Sequence, residues 1–271
     1  MSQHRELKKV TTESLRLMKG KGRKIACLTA YDAIMARLLD EAGIDLMLVG
    51  DSAGTVIQGL PTTISVTLEQ MLYHCRIVSR AVKRALVVVD MPFLTFQVSE
   101  EEALRNAGTL MKEAGAEAVK LEGGAVLSNV VKRLSDVGIP VMGHLGLTPQ
   151  SIHSFGTYRV RGNTNEEADR ILQDAIALEQ SGAFAIVLEK IPSELGKRIT
   201  EAIHIPTIGI GAGPDCDGQI LVTHDMLGLF TKFHPRFVRH YANMAEDMLT
   251  AFRHYAEDVQ TGSFPDASES Y

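Results

Sequence analysis

Residues 99–124 read SEEEALRNAGTLMKEAGAEAVKLEGG and contain one complete helix and strand unit. Ser99 predicts the start of the helix, with Glu102 placed to complete a capping box, and Gly115 predicts a left-handed C-terminal cap. The apolar run that follows is short and rich in branched residues, as expected for a strand buried on both faces of a parallel sheet. The stretch therefore predicts an α/β protein.

The same unit recurs along the chain, with glycine or proline at most of its boundaries. Alternating strands and helices predict a parallel sheet, either closed as a barrel or open and doubly wound. A count of eight favours closure, so we predict a single (β/α)8 TIM barrel. The predicted strands cover residues 24–30, 46–49, 85–89, 118–121, 140–143, 185–188, 206–210 and 219–223. Glycine caps are predicted before four of them, at Gly43, Gly115, Gly138 and Gly182.

The 271 residues fit one barrel domain over residues 1–271, with segments added at both ends. An N-terminal extension, 1–23, contains a helix at 12–18. A C-terminal helix at 236–259 follows Pro235, since helix starts tolerate proline. Residues 261–271 are polar and predict a flexible tail. The extra helices would either cap the barrel floor or make subunit contacts, and the loop after the seventh strand leaves room only for a short or degenerate helix.

Bulk composition excludes several classes of protein. With 28 basic and 33 acidic residues and no run of lysine or arginine, the chain predicts no nucleic-acid partner. Its three cysteines, Cys27, Cys75 and Cys216, indicate neither a disulfide framework nor a cysteine zinc site. The sequence shows no signal peptide, and no stretch reaches the roughly 18 apolar residues of a membrane span. We therefore expect a soluble, cytoplasmic protein.

Polar side chains follow several predicted strands, and in a barrel these strand ends converge on one mouth. Asp51 and Asp90 come after neighbouring strands, and together they could share one Mg²⁺. Either aspartate alone would more simply cap the next turn, but two carboxylates repel unless a cation lies between them. The polar residues at strand ends are Asp51, Asp90, Lys120, Glu122, His144, Glu189 and His224.

The fourth strand places Lys120 and Glu122 on the same face by its period of two, inside the barrel. They could form a buried ion pair with each other. Alternatively, Glu122 assists the metal, and Lys120 offers positive charge to a substrate carboxylate or a developing oxyanion.

Two further residues could be functional or structural. A lone histidine such as His144 is more often structural. Glu189 lies across the barrel from the aspartates and could be a general base, or it could pair at the rim with Lys190 or Arg198. The glycine-rich run at 208–213 lacks the lysine of a P-loop and the spacing of a dinucleotide fingerprint, so we predict no nucleotide site there.

Longer motifs carry a specific resemblance between about Thr29 and Phe237. They are TAYD (29–32), VGDS (49–52), DMPF (90–93), VKLEGG (119–124), GHLGLTPQ (143–150), LEKIP (188–192) and IGIGAGPDCDGQILV (208–222). In this order they resemble the ketopantoate hydroxymethyltransferase family. Ser65, Thr157 and Arg161 depart from the family pattern, and all three lie away from the acidic motifs.

The resemblance implies a Mg²⁺-dependent barrel enzyme, commonly a homodecamer. Such an enzyme transfers a one-carbon unit from 5,10-methylenetetrahydrofolate to 3-methyl-2-oxobutanoate and gives 2-dehydropantoate, on the route to pantothenate and coenzyme A. A 2-oxoacid can chelate Mg²⁺, which stabilises the enolate formed when C3 loses a proton. The implied metal residues are Asp51, Asp90 and Glu122. The implied oxoacid residues are Asp51, Ser52, Asp90 and Lys120, with His144 beside them, and the implied base is Glu189.

Three other functions stay open. A carbon–carbon lyase of the phosphoenolpyruvate mutase and isocitrate lyase kind also binds oxoacids on Mg²⁺, but it usually needs a cysteine in a flexible loop, and none is suitably placed. A Schiff-base aldolase would use Lys120, which borohydride would trap. A catalytically silent barrel that binds an oxoacid has no reason to keep costly inward charges.

Overall fold

The computed structural model describes residues 8–231 and 235–271. Residues 1–7 of the predicted N-terminal extension lie outside this range. The chain divides into two compact units, residues up to Leu221 and residues from Val222 onward. The expectation of a single domain over residues 1–271 stays a prediction.

The first unit contains eight parallel strands that close into a barrel in chain order, with the first strand paired to both the second and the eighth. The predicted TIM barrel is confirmed. The strands are Ile25–Thr29 (β1), Leu46–Val49 (β2), Leu86–Asp90 (β3), Ala118–Glu122 (β4), Val141–Gly146 (β5), Ala185–Glu189 (β6), Thr207–Ile210 (β7) and Gly218–Leu221 (β8).

Helices connect most of these strands, as the pattern of alternation predicts. The first unit contains Thr12–Gly20 (α1), Ala33–Glu41 (α2), Ala53–Val56 (α3), Leu68–Ala81 (α4), Glu100–Ala114 (α5), Ser128–Asp136 (α6), Ile152–Phe155 (α7), Asn165–Gln180 (α8) and Ser193–Ala202 (α9). Short 3₁₀ turns lie at Ala125–Leu127 and Pro149–Ser151. The second unit contains Thr223–Met226 (α10) and Met244–Thr261 (α11). Between β7 and β8, residues 211–217 form turns and no helix, which goes beyond the short or degenerate helix that was predicted.

The apolar core of the barrel has two layers. One layer fills the inside of the barrel, and the other lies between the strands and the surrounding helices. Leu15 and Met18 of α1 are buried in the inner layer, together with residues such as Leu46 and Leu86 at the starts of strands. Since strand starts form the barrel floor, α1 caps that floor, which was one of the two roles predicted for it.

Local capping explains where α5 begins and ends. Ser99 Oγ accepts the Glu102 N–H at 3.1 Å, and Gly115 adopts the predicted left-handed conformation with φ of 74°. The predicted capping box is wrong, because the Glu102 side chain does not return the bond to Ser99. Glu102 is the third carboxylate in the first turn of the helix, where the helix dipole already stabilises it. The other three predicted glycine caps also have positive φ.

Of the eight predicted strands only β2 has the predicted bounds; the others shift by one to three residues at one or both ends. β4 continues one residue further than predicted, so that Glu122 ends the strand. β5 continues to Gly146, because its backbone pairs with β6 up to Glu189, and His144 therefore lies inside the strand and not after it. β8 ends at Leu221, so His224 lies in α10 and not at a strand end.

The predicted C-terminal helix at 236–259 starts too early. The structure places a turn after Pro235, and α11 begins only at Met244. The reason is a competing hydrogen bond: the Tyr241 N–H donates to the Met226 carbonyl at 2.8 Å and ties this segment to the end of α10. A helix that began at Pro235 would break that bond.

Candidate active site

Strand register assembles the predicted site residues at one end of the barrel. Asp90 pairs in register with Lys120, and Glu122 pairs with His144. Asp51 lies two residues after the end of β2, and its backbone N–H donates to Asp90 Oδ2 at 3.0 Å. Five chemically active side chains from four adjacent strands therefore meet at the mouth, as the sequence predicts.

These five side chains are buried, from 3% exposed for Asp51 to 8% for Glu122. Lys120 Nζ lies 2.9 Å from Asp90 Oδ1 and 3.7 Å from Glu122 Oε1. The predicted pairing of Lys120 with Glu122 is thus present, but Asp90 is the nearer partner. Burial acts to lower the pKa of Lys120, yet Asp90, Glu122 and Asp51 outweigh it and raise the pKa above its ordinary value. Lys120 is therefore an ammonium group.

The three carboxylates differ in how well the cluster stabilises their charge. Burial raises the pKa of Asp51, and Asp90 and Glu122 raise it further, well above its ordinary value. Burial also raises the pKa of Asp90, and Lys120 offsets only part of the increase. Burial would raise the pKa of Glu122 too, but His144 and Lys120 lower it below its ordinary value. The two aspartates are thus the carboxyl groups whose ionised form the cluster stabilises least.

Two buried polar atoms of the cluster lack a well-aligned hydrogen bond. They are Asp90 Oδ1, despite its short distance to the Lys120 ammonium, and His144 Nε2. Buried polar atoms in native proteins are nearly always hydrogen-bonded, and exceptions mark catalytic roles or places where water, ions or substrate bind.

His144 connects Glu122 to Glu189. Its Nδ1 lies 3.1 Å from Lys120 Nζ and 3.3 Å from Glu122 Oε1, and its Nε2 lies 3.3 Å from Glu189 Oε2. Burial and Lys120 lower the pKa of His144, but Glu122 and Glu189 outweigh them and raise it to about 9. If the His144 ring is neutral and its Nδ1 accepts a hydrogen bond from Lys120, its proton is on Nε2. If the ring is an imidazolium, both nitrogens carry a proton. In both states an N–H faces Glu189.

Glu189 ends β6, and its side chain is 16% exposed at the mouth. The alternative in which it pairs at the rim is wrong. Lys190 donates to the Tyr158 carbonyl, and Arg198 pairs with Asp169 at 2.9 Å. Glu189 is left facing His144.

Two polar residues near the cluster were not singled out from the sequence. Tyr31 is buried, and its hydroxyl lies 2.8 Å from Ser52 Oγ, so it fixes the predicted oxoacid residue next to Asp51. Gln150 donates from Nε2 to Asp51 Oδ2 at 2.9 Å and from its backbone N–H to Glu122 Oε2 at 2.9 Å. Both residues lie inside the family motifs. The sequence alone, however, does not distinguish a neutral loop residue that contacts the site from one that only stabilises a turn.

The predicted metal set of Asp51, Asp90 and Glu122 stays a prediction. Across residues 8–231 and 235–271, no group of three or more histidine, cysteine, aspartate or glutamate side chains is arranged to hold a metal ion. Mg²⁺ often takes only one or two carboxylates from the protein and completes its shell with water and substrate oxygens. Two aspartates are enough for that mode of binding.

The side chains also bear on two of the alternative functions. Cys27, Cys75 and Cys216 are all buried and free, and burial raises the pKa of Cys75 to about 12. None of them supplies the reactive loop thiol of the lyases. Lys120 is an ammonium among carboxylates, whereas a Schiff-base lysine needs a free amine.

A cavity of about 220 Å³ lies beside the cluster and is lined in part by Gly124, Gly146 and Arg161. Arg161, which departs from the family pattern, stacks on the Phe155 ring with its guanidinium carbon 3.9 Å from the centroid. It also pairs with Glu167, and Glu167 accepts the Gly162 N–H at 2.7 Å. The departure at Arg161 is therefore compensated by local partners.

No helix in the described part of the chain has the length and apolar character needed to cross a membrane.

Comparisons with known proteins identify close relatives. A family model described as Ketopantoate hydroxymethyltransferase matches residues 9–267. A 3-methyl-2-oxobutanoate hydroxymethyltransferase from Prosthecochloris aestuarii is 57% identical over 270 residues, covering 98% of this chain and 98% of the relative. The enzyme of the same name from Chlorobium phaeobacteroides is 57% identical over 266 residues, covering 97% and 96%.

Solved structures confirm the fold. A phosphonopyruvate hydrolase in complex with oxalate and Mg²⁺ superposes with a TM-score of 0.62 at 14% identity, covering 96% of this chain and 93% of that chain. Identity this low shows a shared barrel and no more. The family match and the two relatives span nearly the whole chain, which belongs to the ketopantoate hydroxymethyltransferase family of transferase enzymes.

Proposed function

We propose that this protein transfers a hydroxymethyl group from 5,10-methylenetetrahydrofolate to 3-methyl-2-oxobutanoate, with Mg²⁺ bound, and gives 2-dehydropantoate for pantothenate and coenzyme A synthesis. The observation that carries the proposal is the buried cluster at the barrel mouth, where two under-compensated aspartates lie beside a lysine ammonium and face a glutamate through His144.

The residues at the mouth fit a magnesium ion. Their donors are carboxylate oxygens, which Mg²⁺ prefers, and burial raises the pKa of both Asp51 and Asp90, so a cation would stabilise their ionised forms. Asp90 Oδ1 is buried and its contact with the Lys120 ammonium is poorly aligned, so the same oxygen would also accept a metal ion. Asp51 and Asp90 would hold the ion, and Glu122 would contribute to its shell. When bound, Mg²⁺ acts as a Lewis acid that polarises the oxoacid carbonyl, an effect worth several kcal/mol.

The oxoacid would bind between the metal residues and the lysine. Ser52 and Lys120 offer a hydroxyl and an ammonium, which suit the carboxylate of the substrate. His144 lies between Lys120 and Glu189 and fixes both. Its position supports a role beside the oxoacid in which it orients the substrate and the base.

Glu189 is the proposed general base. It takes the proton from C3 of the oxoacid, and its partial exposure at the mouth leaves room for a substrate carbon beside it. The methylene carbon of the folate loses both of its bonds to nitrogen through addition of one water molecule, whose two protons go to the nitrogens, which leaves tetrahydrofolate and a carbon at the formaldehyde level. C3 forms a bond to that carbon, and its oxygen, which came from the water, takes up the proton held by Glu189 and becomes the hydroxyl. A positioned base contributes about 10²- to 10⁴-fold to such a step.

The test is exchange of the C3 hydrogen of 3-methyl-2-oxobutanoate in deuterated water, followed by proton NMR with and without Mg²⁺ and folate. The native protein with Mg²⁺ should exchange this hydrogen, and a chelator should stop the exchange. Exchange that is absent under every condition would remove the proposed proton transfer. Exchange that persists in chelator would remove the metal from it.

Two further proposals follow from the family resemblance. We propose a cytoplasmic protein that acts on small molecules and forms a homo-oligomer, a decamer in the family pattern. The self-association is supported by α11, whose large apolar side chains are 40–60% exposed. They are Met248, Leu249, Phe252, Tyr255 and Val259.

A further inference from the structure

Gln150 is a buried neutral residue that contacts three strand ends at once. It lies in the 3₁₀ turn Pro149–Ser151 and is 5% exposed. Its Nε2 donates to Asp51 Oδ2 at 2.9 Å and to the Met91 carbonyl at 3.0 Å, so both amide hydrogens have acceptors. Its backbone N–H donates to Glu122 Oε2 at 2.9 Å. The residue therefore joins the ends of β2, β3 and β4.

The remaining polar atom of Gln150 is also engaged. Oε1 accepts from Gln97 Nε2 at 3.3 Å, which fixes the orientation of the amide. With the carbonyl oxygen facing Gln97, the NH₂ group has to face Asp51. The amide cannot flip without losing its bonds to both Asp51 and Met91.

The bond from Gln150 acts on one oxygen of the Asp51 carboxylate. In the described residues, Asp51 Oδ1 receives no hydrogen bond, whereas Oδ2 is held by Gln150. A carboxylate held at one oxygen loses its rotational freedom and presents the other oxygen in a fixed direction. An amide donor does this without a positive charge, whereas a lysine or arginine at the same place would compete with a cation for Asp51.

We propose that Gln150 is a positioning residue for the divalent cation: its side chain orients Asp51, and its backbone N–H orients Glu122. The inference rests on the proposed metal role of Asp51. Partners that hold the ligands of a metal commonly change metal affinity by 10- to 100-fold when they are removed.

The test measures binding of Mn²⁺, a paramagnetic substitute for Mg²⁺, to the full-length protein by electron paramagnetic resonance, with and without 3-methyl-2-oxobutanoate. Gln150→Met keeps the length of the side chain but has no donor, and it should weaken Mn²⁺ binding by about 10- to 100-fold. Gln150→Asn keeps the amide on a shorter stem that cannot span the same contacts, and it should weaken binding in the same direction. Ser151→Ala is the matched control, since that side chain lies in the same turn and makes no hydrogen bond in the described residues.

The outcomes separate this inference from the proposed function. If the native protein binds no Mn²⁺ under either condition, the metal site is wrong and the role of Gln150 is wrong with it. If the native protein binds Mn²⁺ and both folded variants bind it within twofold of native, only the role of Gln150 is overturned. Thermal unfolding in chelator identifies a variant that does not fold. If Gln150→Met fails to fold, Gln150→Asn decides the question.

Discussion

The two ends of the barrel both contain buried charges, but they satisfy them differently. At the floor, the Asp40 carboxylate accepts the backbone N–H groups of Lys83, Arg84 and Ala85 at 2.8–3.1 Å. Arg84 donates to two backbone carbonyls and pairs with Asp45 at 2.6 Å. Each floor charge is thus bound to backbone or to an opposite charge.

At the mouth, the charges mainly face one another, and a backbone N–H satisfies only one oxygen each of Asp90 and Glu122. Asp90 Oδ1 and His144 Nε2 are buried without an aligned hydrogen bond, and the pKa of Asp51 is raised by burial, Asp90 and Glu122. Incompletely satisfied buried charge costs stability, and such atoms occur where a protein catalyses a reaction or binds water, ions or substrate. In this fold the mouth is where catalysis occurs, whereas the floor contributes to stability. The difference predicts that substitutions at the two ends have opposite consequences.

The largest effect is expected for Asp90→Ala at the mouth. It removes a proposed metal ligand and the nearest partner of Lys120, which should lower kcat/KM by about 10³-fold or more if Lewis-acid assistance of several kcal/mol is lost. Steady-state transfer assays over a range of Mg²⁺ concentrations measure it. Asp136→Ala, in an exposed pair with Lys132, is the control and should retain native activity. An active Asp90→Ala protein in excess chelator would contradict the metal role.

Glu189→Gln tests whether Glu189 takes a proton from the substrate or contributes only its negative charge. The amide keeps the shape of the side chain but cannot take a proton, so kcat should fall by about 10²- to 10⁴-fold while the KM for the oxoacid stays near native. The exposed Glu194 at the start of α9 provides the control substitution, Glu194→Gln. An unchanged kcat would remove Glu189 from the mechanism.

Much of this contrast was predictable from the sequence, because both the barrel and its mouth depend on periodic patterns. Short apolar runs predicted the strands, and the position of Asp51, Asp90 and Glu189 after such runs placed them at one end. The period of two placed Lys120 and Glu122 inside. These predictions needed only the chain direction and the alternation of side chains in a strand.

What the sequence could not give depends on partners distant along the chain. The predicted start of α11 was wrong because the Tyr241 N–H donates to the Met226 carbonyl, and this bond keeps the segment before Met244 out of the helix. The floor network around Arg84 was not predicted, since it uses backbone carbonyls, which carry no sequence signal. Gln150 was missed for a related reason: only the tertiary fold brings a neutral loop residue next to Asp51.

The floor should respond in the opposite way to the mouth. Arg84→Met leaves the buried Asp45 with the longer pair to Arg23, at 3.2 Å, and the Ala26 N–H, and deprives the Gly43 and Ile44 carbonyls of a donor. Breaking a buried pair costs about 3–5 kcal/mol of unfolding free energy, and we expect about 3 because Arg23 remains. Urea unfolding measures the loss. The folded fraction should show native kcat and KM.

The control for the floor is Arg16→Ala, which removes an exposed pair with Glu13 and should leave the urea midpoint unchanged. If Arg84→Met unfolds like the native protein, the floor network contributes nothing to stability. If it instead lowers kcat with stability intact, the proposed division between the two ends is wrong.

The smallest effect is expected for Glu167→Gln, a paired charge beside the mouth. Burial would raise the pKa of Glu167, but the Gly162 N–H and Arg161 lower it below its ordinary value. A lowered pKa means that the ionised form stabilises the fold above the unfolded pKa of about 4.3, and that this contribution is lost as the pH falls through the lower folded value. The variant should therefore lose about 1 kcal/mol or less at pH 7, because water screens the pair, and nothing at the acid end. Urea unfolding at several pH values measures the difference, with Glu166→Gln as the control at the exposed neighbouring residue.

Activity should fall by less than tenfold, because a charge that is already paired should contribute to stability and not to catalysis, as at the floor, even when it lies beside the mouth. A loss as large as that of Glu189→Gln would show that position in the barrel, and not pairing, decides what a charged side chain does.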